Sequence, residues 1–439
     1  MDSELDRALA ALVDGDFYGR WQAIGQLKQI GKAAIPALVA LLADEAVDLE
    51  QCWFVARALG EFDDPAAARS LVGLLSIAPD PAVQAAAAEA LGKLAARSPE
   101  LRSAALGTLG SYLTDPHLGP VVLGAIAQIQ HPDAIEHLIT GAKSPDPALR
   151  AAAIEALSMA PDGRIPALLL AATHDPDAPV RVAAATGLGA LRAVDEPHRP
   201  AIFAALTRLL GDPATATAAA TALGRWQDDR AVAALTQGWS AGAIVPPGVI
   251  ARVLVQMELP SALAALADRL PQESAPNLVE GIQAIGESHP RSDSYRQQVT
   301  ALLLGWLDRP EPLFQTPATR SALVEALGNL QSAAAFDRLL PWLSDRRDQR
   351  DQRDQRDQTN QPNQPDRPTA LQLRVFAALR QIDPQRGADR LAAWIADPAN
   401  GAQPSAIAAQ FLQEWRTLQT LQMPDISAPL DELGTPDQP

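Results

Sequence analysis

The strongest constraint on this chain is a phrase that recurs along it at intervals of 31 to 35 residues. Residues 144–157 read SPDPALRAAAIEAL, and the next copy, from His174, reads HDPDAPVRVAAATGL. In seven consecutive copies an aspartate lies eleven residues before an apolar anchor, and weaker copies follow around Ile285, Leu327 and Leu379. A fixed offset indicates one structural unit that is built repeatedly. The aspartate/anchor pairs are Asp16/Leu27, Asp48/Leu59, Asp80/Leu91, Asp115/Ile126, Asp146/Leu157, Asp177/Leu188 and Asp212/Leu223.

Each copy carries the signals of a helix pair. The aspartate is a preferred N-cap, and the proline that follows it at 81, 116, 147 and 213 suits the first helical position. Alanines then allow close helix packing, and a second apolar helix such as KAAIPALVALLAD follows each anchor. A glycine after the anchor marks either a helix end or a tight helix crossing. These glycines are Gly60, Gly92, Gly189, Gly224, Gly286 and Gly328.

One helix pair cannot bury its apolar face, so the copies must stack. The sequence therefore predicts an all-α fold, a solenoid of about eleven or twelve helix pairs, without strands. We expect the main array over residues 1–344 and C-terminal repeats over 369–420. Between them, the RDQ-rich stretch 345–368 has no apolar residue for a core and is predicted to be a disordered insertion. Residues 421–439 are predicted to be a flexible tail.

The Asp-Pro-x-Val/Leu-Arg, alanine and Ala-Leu-Gly pattern resembles HEAT repeats, and the short period is most similar to the HEAT-like repeats of the phycobilisome lyase family. Repeats of this kind commonly stack an Asp and an Arg into a ladder. Here the arginine occurs at Arg20, Arg150 and Arg181, so we expect an interrupted ladder. The other copies carry Cys52, Gln84, Gly119 and Ala216 at that position.

The composition excludes several kinds of partner and location. The formal net charge of −16 disfavours nucleic acid and anionic membrane surfaces as partners. No stretch approaches the ~20 apolar residues of a spanning helix, and the N-terminus lacks the pattern of a secretory signal. A single cysteine, Cys52, excludes an intramolecular disulfide. We therefore expect a cytoplasmic protein without membrane insertion.

No catalytic or metal-binding motif is recognised. None of the six histidines precedes a glutamate, whereas the HEAT-repeat deoxyhypusine hydroxylases carry repeated His-Glu dipeptides for iron. His131 and His137 are six residues apart and would lie on different helix faces, which disfavours a local zinc pair. Cys52 has no histidine or acid at a spacing that suggests a nucleophile, so a structural thiol is the simpler interpretation.

Four tryptophans lie near the ends of second helices, namely Trp239, Trp306, Trp342 and Trp394. They are either core residues between repeats or a stacking wall of a partner-binding groove.

We expect a non-enzymatic scaffold or assembly factor that binds a protein on the concave face of the solenoid. The alternative implied by the resemblance is a cyanobacterial phycobilin lyase subunit or bilin chaperone, with a phycobiliprotein as partner and a phycobilin as handled ligand. Otherwise no cofactor is expected.

Overall fold

The computed structural model describes residues 2–44, 47–160, 162–191, 198–240, 244–344, 369–397 and 406–422. These ranges are helices joined by turns, with no strand among them, which confirms the predicted all-α solenoid. The chain forms two compact units, unit 1 (Met1–Trp226) and unit 2 (Gln227–Pro439). Nowhere in the described ranges is a helix both long and apolar enough to cross a bilayer. The predicted insertion 345–368 and residues 423–439 of the predicted tail lie outside the described residues.

Unit 1 begins with α1 (Asp2–Asp14) and continues as two layers of helices. The alanine-rich first helices of successive pairs pack side by side, and we call them the first layer: α2 (Phe17–Ile30), α4 (Leu49–Leu59), α6 (Pro81–Arg97), α8 (Gly119–Ala127), α10 (Pro147–Ser158), α12 (Ala178–Ala190) and α14 (Ala216–Arg225). The second layer consists of α3 (Ile35–Leu42), α5 (Pro65–Ile77), α7 (Pro99–Ser111), α9 (Pro132–Gly141), α11 (Ile165–Ala172) and α13 (Arg199–Leu209).

Unit 2 has the same two-layer arrangement. Its first layer contains α16 (Pro247–Met257), α18 (Ala275–Gly286), α21 (Pro317–Asn329) and α23 (Ala370–Ile382). Its second layer contains α15 (Asp229–Ser240), α17 (Pro260–Arg269), α19 (Asp293–Leu307), α22 (Ala333–Leu339) and α24 (Gly387–Ala396). The single turn α20 (Pro312–Gln315) precedes α21, a 3₁₀ turn (Leu340–Ser344) follows α22, and α25 (Ala406–Gln422) packs against α24.

The repeated aspartates cap first-layer helices at four of the seven positions. Asp16, Asp48, Asp80 and Asp146 each accept a hydrogen bond from a backbone N–H two or three residues further on. A cap of this kind contributes about 1 kcal/mol. Asp177 stands at the N-cap of α12 without a side-chain cap bond, and its carboxylate instead accepts from Arg150 of the preceding copy.

The predicted helix start is wrong in two copies. α8 and α14 begin at Gly119 and Ala216, three residues after the prolines expected at their first positions. Both copies follow the longer interval of 35 residues. The extra residues form a turn that the aspartate closes: Asp115 accepts from two backbone N–H groups, and Asp212 from one.

Glycines after the anchors are sites of close helix approach. A Cβ on Gly92 would lie 2.7 Å from the carbonyl oxygen and 3.0 Å from the Cα of Ala125. A Cβ on Gly189 would lie 2.6 Å from the Cα of Ala222. None of these glycines has a positive φ. Glycine is therefore required here because it has no side chain between the two helices, and not because of its backbone conformation. Tight crossings recur in the pairs Gly60/Ala90, Gly286/Ala326 and Gly328/Ala378, and Gly60 is in addition a helix end, as the C-cap of α4.

The turn between the two helices of a pair also repeats its conformation. Five non-glycine residues with positive φ, between 45° and 53°, all lie at this turn, and each is four residues after the apolar anchor position of its first-layer helix. A left-handed residue reverses the chain sharply at the end of a helix. The five residues are Gln130, Gln227, Glu258, His289 and Gln331.

The charge ladder is interrupted, as predicted. Arg150 donates to Asp175 at 2.9 Å and to Asp177 at 2.7 Å in the next copy, and Arg181 donates to Asp212 at 2.7 Å. The Arg150 guanidinium, through these hydrogen bonds, holds the pKa of the Asp175 carboxyl below its ordinary value. The ladder therefore links three copies of the repeat and is not continuous through the unit.

Candidate functional site

The four tryptophans predicted to line a groove differ in exposure. Trp239 is 4% and Trp306 2% exposed, so both pack in the core of unit 2. The Trp239 indole N–H donates to Glu273 Oε1 at 2.7 Å, whereas the Trp306 indole N–H has no hydrogen-bond partner among the described residues. Large rings fill space that alanine-rich helices leave open. The accessible ring faces that a stacking groove requires are therefore lacking at these two positions.

Trp342 and Trp394 are half-buried and keep some accessible ring surface. Trp342 lies in the 3₁₀ turn after α22, and the guanidinium carbon of the buried Arg320 lies 5.0 Å from its ring centroid. Such a contact stabilises the ring orientation. A binding role for this pair of tryptophans remains a prediction.

A different aromatic surface lies on α2 and α4 of unit 1. Phe17 is 56%, Tyr18 77% and Trp21 40% exposed, although aromatic residues make up only 4% of the chain. Trp53 lies beside them and is half-buried. We call these four rings, together with Arg57, the aromatic patch. Exposed rings that cluster in this way are typical of interaction sites and not of a solvated helix face.

The rings of the patch hold one another in edge-to-face geometry. The Trp21 and Trp53 centroids are 6.0 Å apart with an interplanar angle of 85°, and Phe17 lies 6.4 Å from Trp21. Beneath them the buried Phe54 contacts Phe17 at 5.8 Å and Trp53 at 4.9 Å. Contacts of this type add about 0.5–1.5 kcal/mol each beyond area burial. The exposed rings are thus anchored to a fixed core residue.

Charges around the patch are arranged asymmetrically. The guanidinium carbon of Arg57 lies 4.3 Å from the Trp53 centroid, and its Nη2 pairs with Glu89 at 2.8 Å. Arg20 in turn pairs with Glu50 at 3.0 Å. Both arginines are therefore matched by a glutamate, while Asp14 is exposed at the end of α1 and Asp16 and Asp48 are exposed at the N-caps of α2 and α4. The rim is consequently acidic through Asp14, Asp16 and Asp48.

Sequence reasoning missed this patch, although a signal was present. Five of the chain's 19 aromatic residues (8 Trp, 3 Tyr and 8 Phe) lie between residues 17 and 54. Trp21 and Trp53 also occupy the same repeat position, six residues before Leu27 and Leu59. Equal positions in neighbouring copies lie next to each other in a stacked array, so the Trp21–Trp53 contact could have been predicted.

Cys52 is the candidate nucleophile that the sequence raised. Cys52 is half-buried, and burial, followed by the charge of Asp48, raises the pKa of its thiol above the ordinary value. A thiol that stays protonated is a poor nucleophile. Within the ranges that the structure covers, no three His, Cys, Asp or Glu side chains come together in a way that could hold a metal ion.

Comparison with known proteins identifies the repeat. The family model for HEAT repeats matches residues 5–92, 52–121 and 165–243. The search of curated proteins yields no match to this sequence.

Three solved structures illustrate the structural likeness. A chain in the complex of CpcE and CpcF of phycocyanin lyase from Nostoc sp. PCC7120 is 24% identical, covering 53% of this chain and 92% of that chain, with a TM-score of 0.29. A chain in the structure of Kap95p with RanGDP is 15% identical, covering 95% and 66%, with a TM-score of 0.48. Human deoxyhypusine hydroxylase is 24% identical, covering 62% and 97%, with a TM-score of 0.25. At these values no functional conclusion follows from the likeness.

Proposed function

Since the chain carries HEAT repeats, we propose that it is a non-enzymatic interaction scaffold, and that the aromatic patch on α2 and α4 binds a protein partner. The single observation behind this proposal is the exposure of Phe17, Tyr18 and Trp21 in an otherwise aromatic-poor protein. Tryptophan, tyrosine and arginine are the residue types that most often dominate binding energy at protein interfaces.

The size of the patch indicates its role within an interface. From the exposed fractions of Phe17, Tyr18 and Trp21, these rings could bury on the order of 300–400 Å². At about 25 cal/mol per Å² that corresponds to roughly 8–10 kcal/mol. Association itself costs about 4–15 kcal/mol. The patch can therefore supply the energetic centre of an interface, and further contacts around it have to supply the rest.

Its acidic rim specifies the partner's chemistry. Arg20 and Arg57 are paired with glutamates, whereas Asp14, Asp16 and Asp48 are exposed at the end of α1 and at the N-caps of α2 and α4. A partner that presents an apolar or aromatic anchor flanked by lysine or arginine would complement this surface. Because charges at a rim act through solvent, binding should weaken as ionic strength rises.

The test compares the full-length chain with a double variant, Tyr18→Ala with Trp21→Ala, as bait for partner proteins. Ile77→Ala is a matched control, because Ile77 is an apolar residue that is 80% exposed on α5 of the same unit. A partner captured by the wild type would be purified and its affinity measured by titration calorimetry. We expect the double variant to weaken binding by about 2 kcal/mol or more, roughly thirtyfold, and the control to bind like the wild type. Equal affinity of the double variant and the wild type would contradict the proposal.

The bilin alternative makes a separate prediction. A flat tetrapyrrole needs accessible ring faces, and of the four tryptophans first considered only Trp342 and Trp394 are half-buried instead of buried. If the chain handles a bilin there, phycocyanobilin should quench tryptophan fluorescence saturably, and Trp342→Ala with Trp394→Ala should remove that response. Quenching that survives in this variant, or no saturable quenching, would argue against a bilin site at these residues.

A further inference from the structure

The two arginines on α2 and α4 are each held by one aromatic ring and one carboxylate. The guanidinium carbon of Arg20 lies 5.6 Å from the ring centroid of Phe54, and its Nη1 pairs with a glutamate at 3.0 Å. The guanidinium carbon of Arg57 lies 4.3 Å from the ring centroid of Trp53, and its Nη2 pairs with a glutamate at 2.8 Å. A ring face attracts the cation, and the carboxylate accepts its N–H groups. These helices therefore build the same kind of arginine site twice and fill both from within the chain.

The two most exposed rings of the aromatic patch have no such arginine. Phe17 is 56% and Tyr18 77% exposed, and among the described residues no cation lies over either ring. Their centroids are 5.9 Å apart and their planes meet at 88°. A ring that is three-quarters exposed offers a face to a partner, and a face in contact with water is where an external cation can stack.

A carboxylate with spare capacity stands directly before these two rings. Asp16 is the N-cap of α2, and its Oδ1 accepts from the backbone N–H of Gly19 at 2.7 Å. Its side chain has no ion-pair partner within the described ranges, and it is exposed. Because the Cα–Cβ bonds of a helix tilt towards its N-terminus, side chains of the first turn lean towards the cap. Phe17 and Tyr18 occupy that first turn, so this end of α2 combines rings and a carboxylate without an arginine.

We infer that this third set of rings and carboxylate binds an arginine side chain of the partner protein. The inference rests on the proposed function, since it names the group that the partner places on the aromatic patch. The guanidinium stacks on Tyr18 and donates to Asp16, in the arrangement that Arg20 and Arg57 show within the chain. Arginine is favoured over lysine, because its planar group stacks on a ring and presents a fork of donors to a carboxylate. The net charge of −16 also favours the approach of a basic partner.

Panning a phage-displayed library of random peptides on the full-length chain supplies the probes. Selected peptides are labelled with fluorescein, and their affinities for the wild type and for Trp21→Ala are measured by anisotropy. Peptides that Trp21→Ala weakens bind at the aromatic patch and are kept. Each arginine in them is then replaced in turn by lysine and by citrulline, which keeps the shape of arginine but carries a neutral urea group.

Three protein variants separate the ring, the charge and the cap. Tyr18→Leu removes the ring and keeps an apolar side chain, whereas Tyr18→Phe keeps the ring. Asp16→Asn removes the charge and retains the cap, since asparagine caps a helix as well as aspartate does. Asp80→Asn is the matched control, because Asp80 caps α6 in the same way but is followed by proline and alanine in place of rings.

We expect one arginine of the retained peptides to lose about fivefold or more in affinity on replacement by citrulline, and less on replacement by lysine. Tyr18→Leu should weaken the arginine peptide by a similar factor and the citrulline peptide much less, because the interaction is already missing there. Asp16→Asn should be selective in the same way, while Tyr18→Phe and Asp80→Asn should bind like the wild type. Circular dichroism checks that the variants keep their helices, and we expect no loss because Tyr18 and Asp16 are exposed.

The outcomes distinguish this inference from the proposed function. If the citrulline peptides bind as tightly as the arginine peptides, or if Tyr18→Leu binds both with wild-type affinity, the arginine site is refuted and the patch still stands as a binding surface. If panning yields no peptide that Trp21→Ala weakens, the proposed function and the arginine site are both refuted.

Discussion

Replacing Gly92 by alanine tests the packing between first-layer helices directly. In a solvent-exposed helix interior, glycine to alanine stabilises by about 0.8–1 kcal/mol because alanine loses less backbone entropy. At Gly92 the new Cβ would meet the carbonyl oxygen of Ala125 at 2.7 Å and its Cα at 3.0 Å. These are backbone atoms of α8, which cannot move without shifting the helix. Overpacking of this type costs about 1–3 kcal/mol, and backbone contacts place the cost in the upper part of that range.

The net expectation for Gly92→Ala is a loss of about 1–2 kcal/mol in the free energy of unfolding. Gly107→Ala is the matched control, because Gly107 is exposed within α7 and its Cβ would have no neighbour within 4 Å. That variant should gain about 0.8–1 kcal/mol. Urea denaturation followed by circular dichroism measures both. If Gly92→Ala proves as stabilising as Gly107→Ala, the close crossing of α6 and α8 is not what holds the layer together.

Three further predictions concern charged, buried and reactive groups. Because Arg150 lowers the pKa of Asp175, this pair stabilises the fold above the ordinary carboxyl pKa of about 4, and the contribution is lost as pH falls through the lowered value. Acid titration from about pH 5 to 2 should therefore destabilise the wild type more than Arg150→Met. In thermal unfolding, Trp239→Phe should cost more than Trp306→Phe, since only Trp239 loses an indole hydrogen bond; equal losses would contradict this. Alkylation of Cys52 by iodoacetamide at pH 7 should be slower than that of free cysteine, because burial raises its pKa; an equal or faster rate would refute it.

The aromatic residues that are exposed differ from those that the sequence suggested. Tryptophans at the ends of second-layer helices suggested a groove, yet Trp239 and Trp306 are buried. The exposed rings lie instead on the first-layer helix α2, where Phe17 contacts Phe54 of α4 across 37 residues of sequence. Whether an aromatic residue on a helix faces solvent or a neighbour depends on the residues of the adjacent copy, and a single copy of the repeat does not contain that information.

The sequence by itself determined the features that depend on a few neighbouring residues. Aspartates at Asp16, Asp48, Asp80 and Asp146 cap helices because a cap bond spans two or three residues. Repetition of the phrase then determined that helix pairs stack, since one pair cannot bury its own apolar face.

Only the tertiary structure decided what happens between copies. It showed that Gly92 marks a helix crossing and not a helix end, because the decisive atom belongs to Ala125, 33 residues away. It also placed the Arg57 guanidinium of one copy over the Trp21 ring of the preceding copy, 36 residues away. These arrangements depend on inter-helix distances of a few ångströms, which packing sets and which no local pattern of residues encodes.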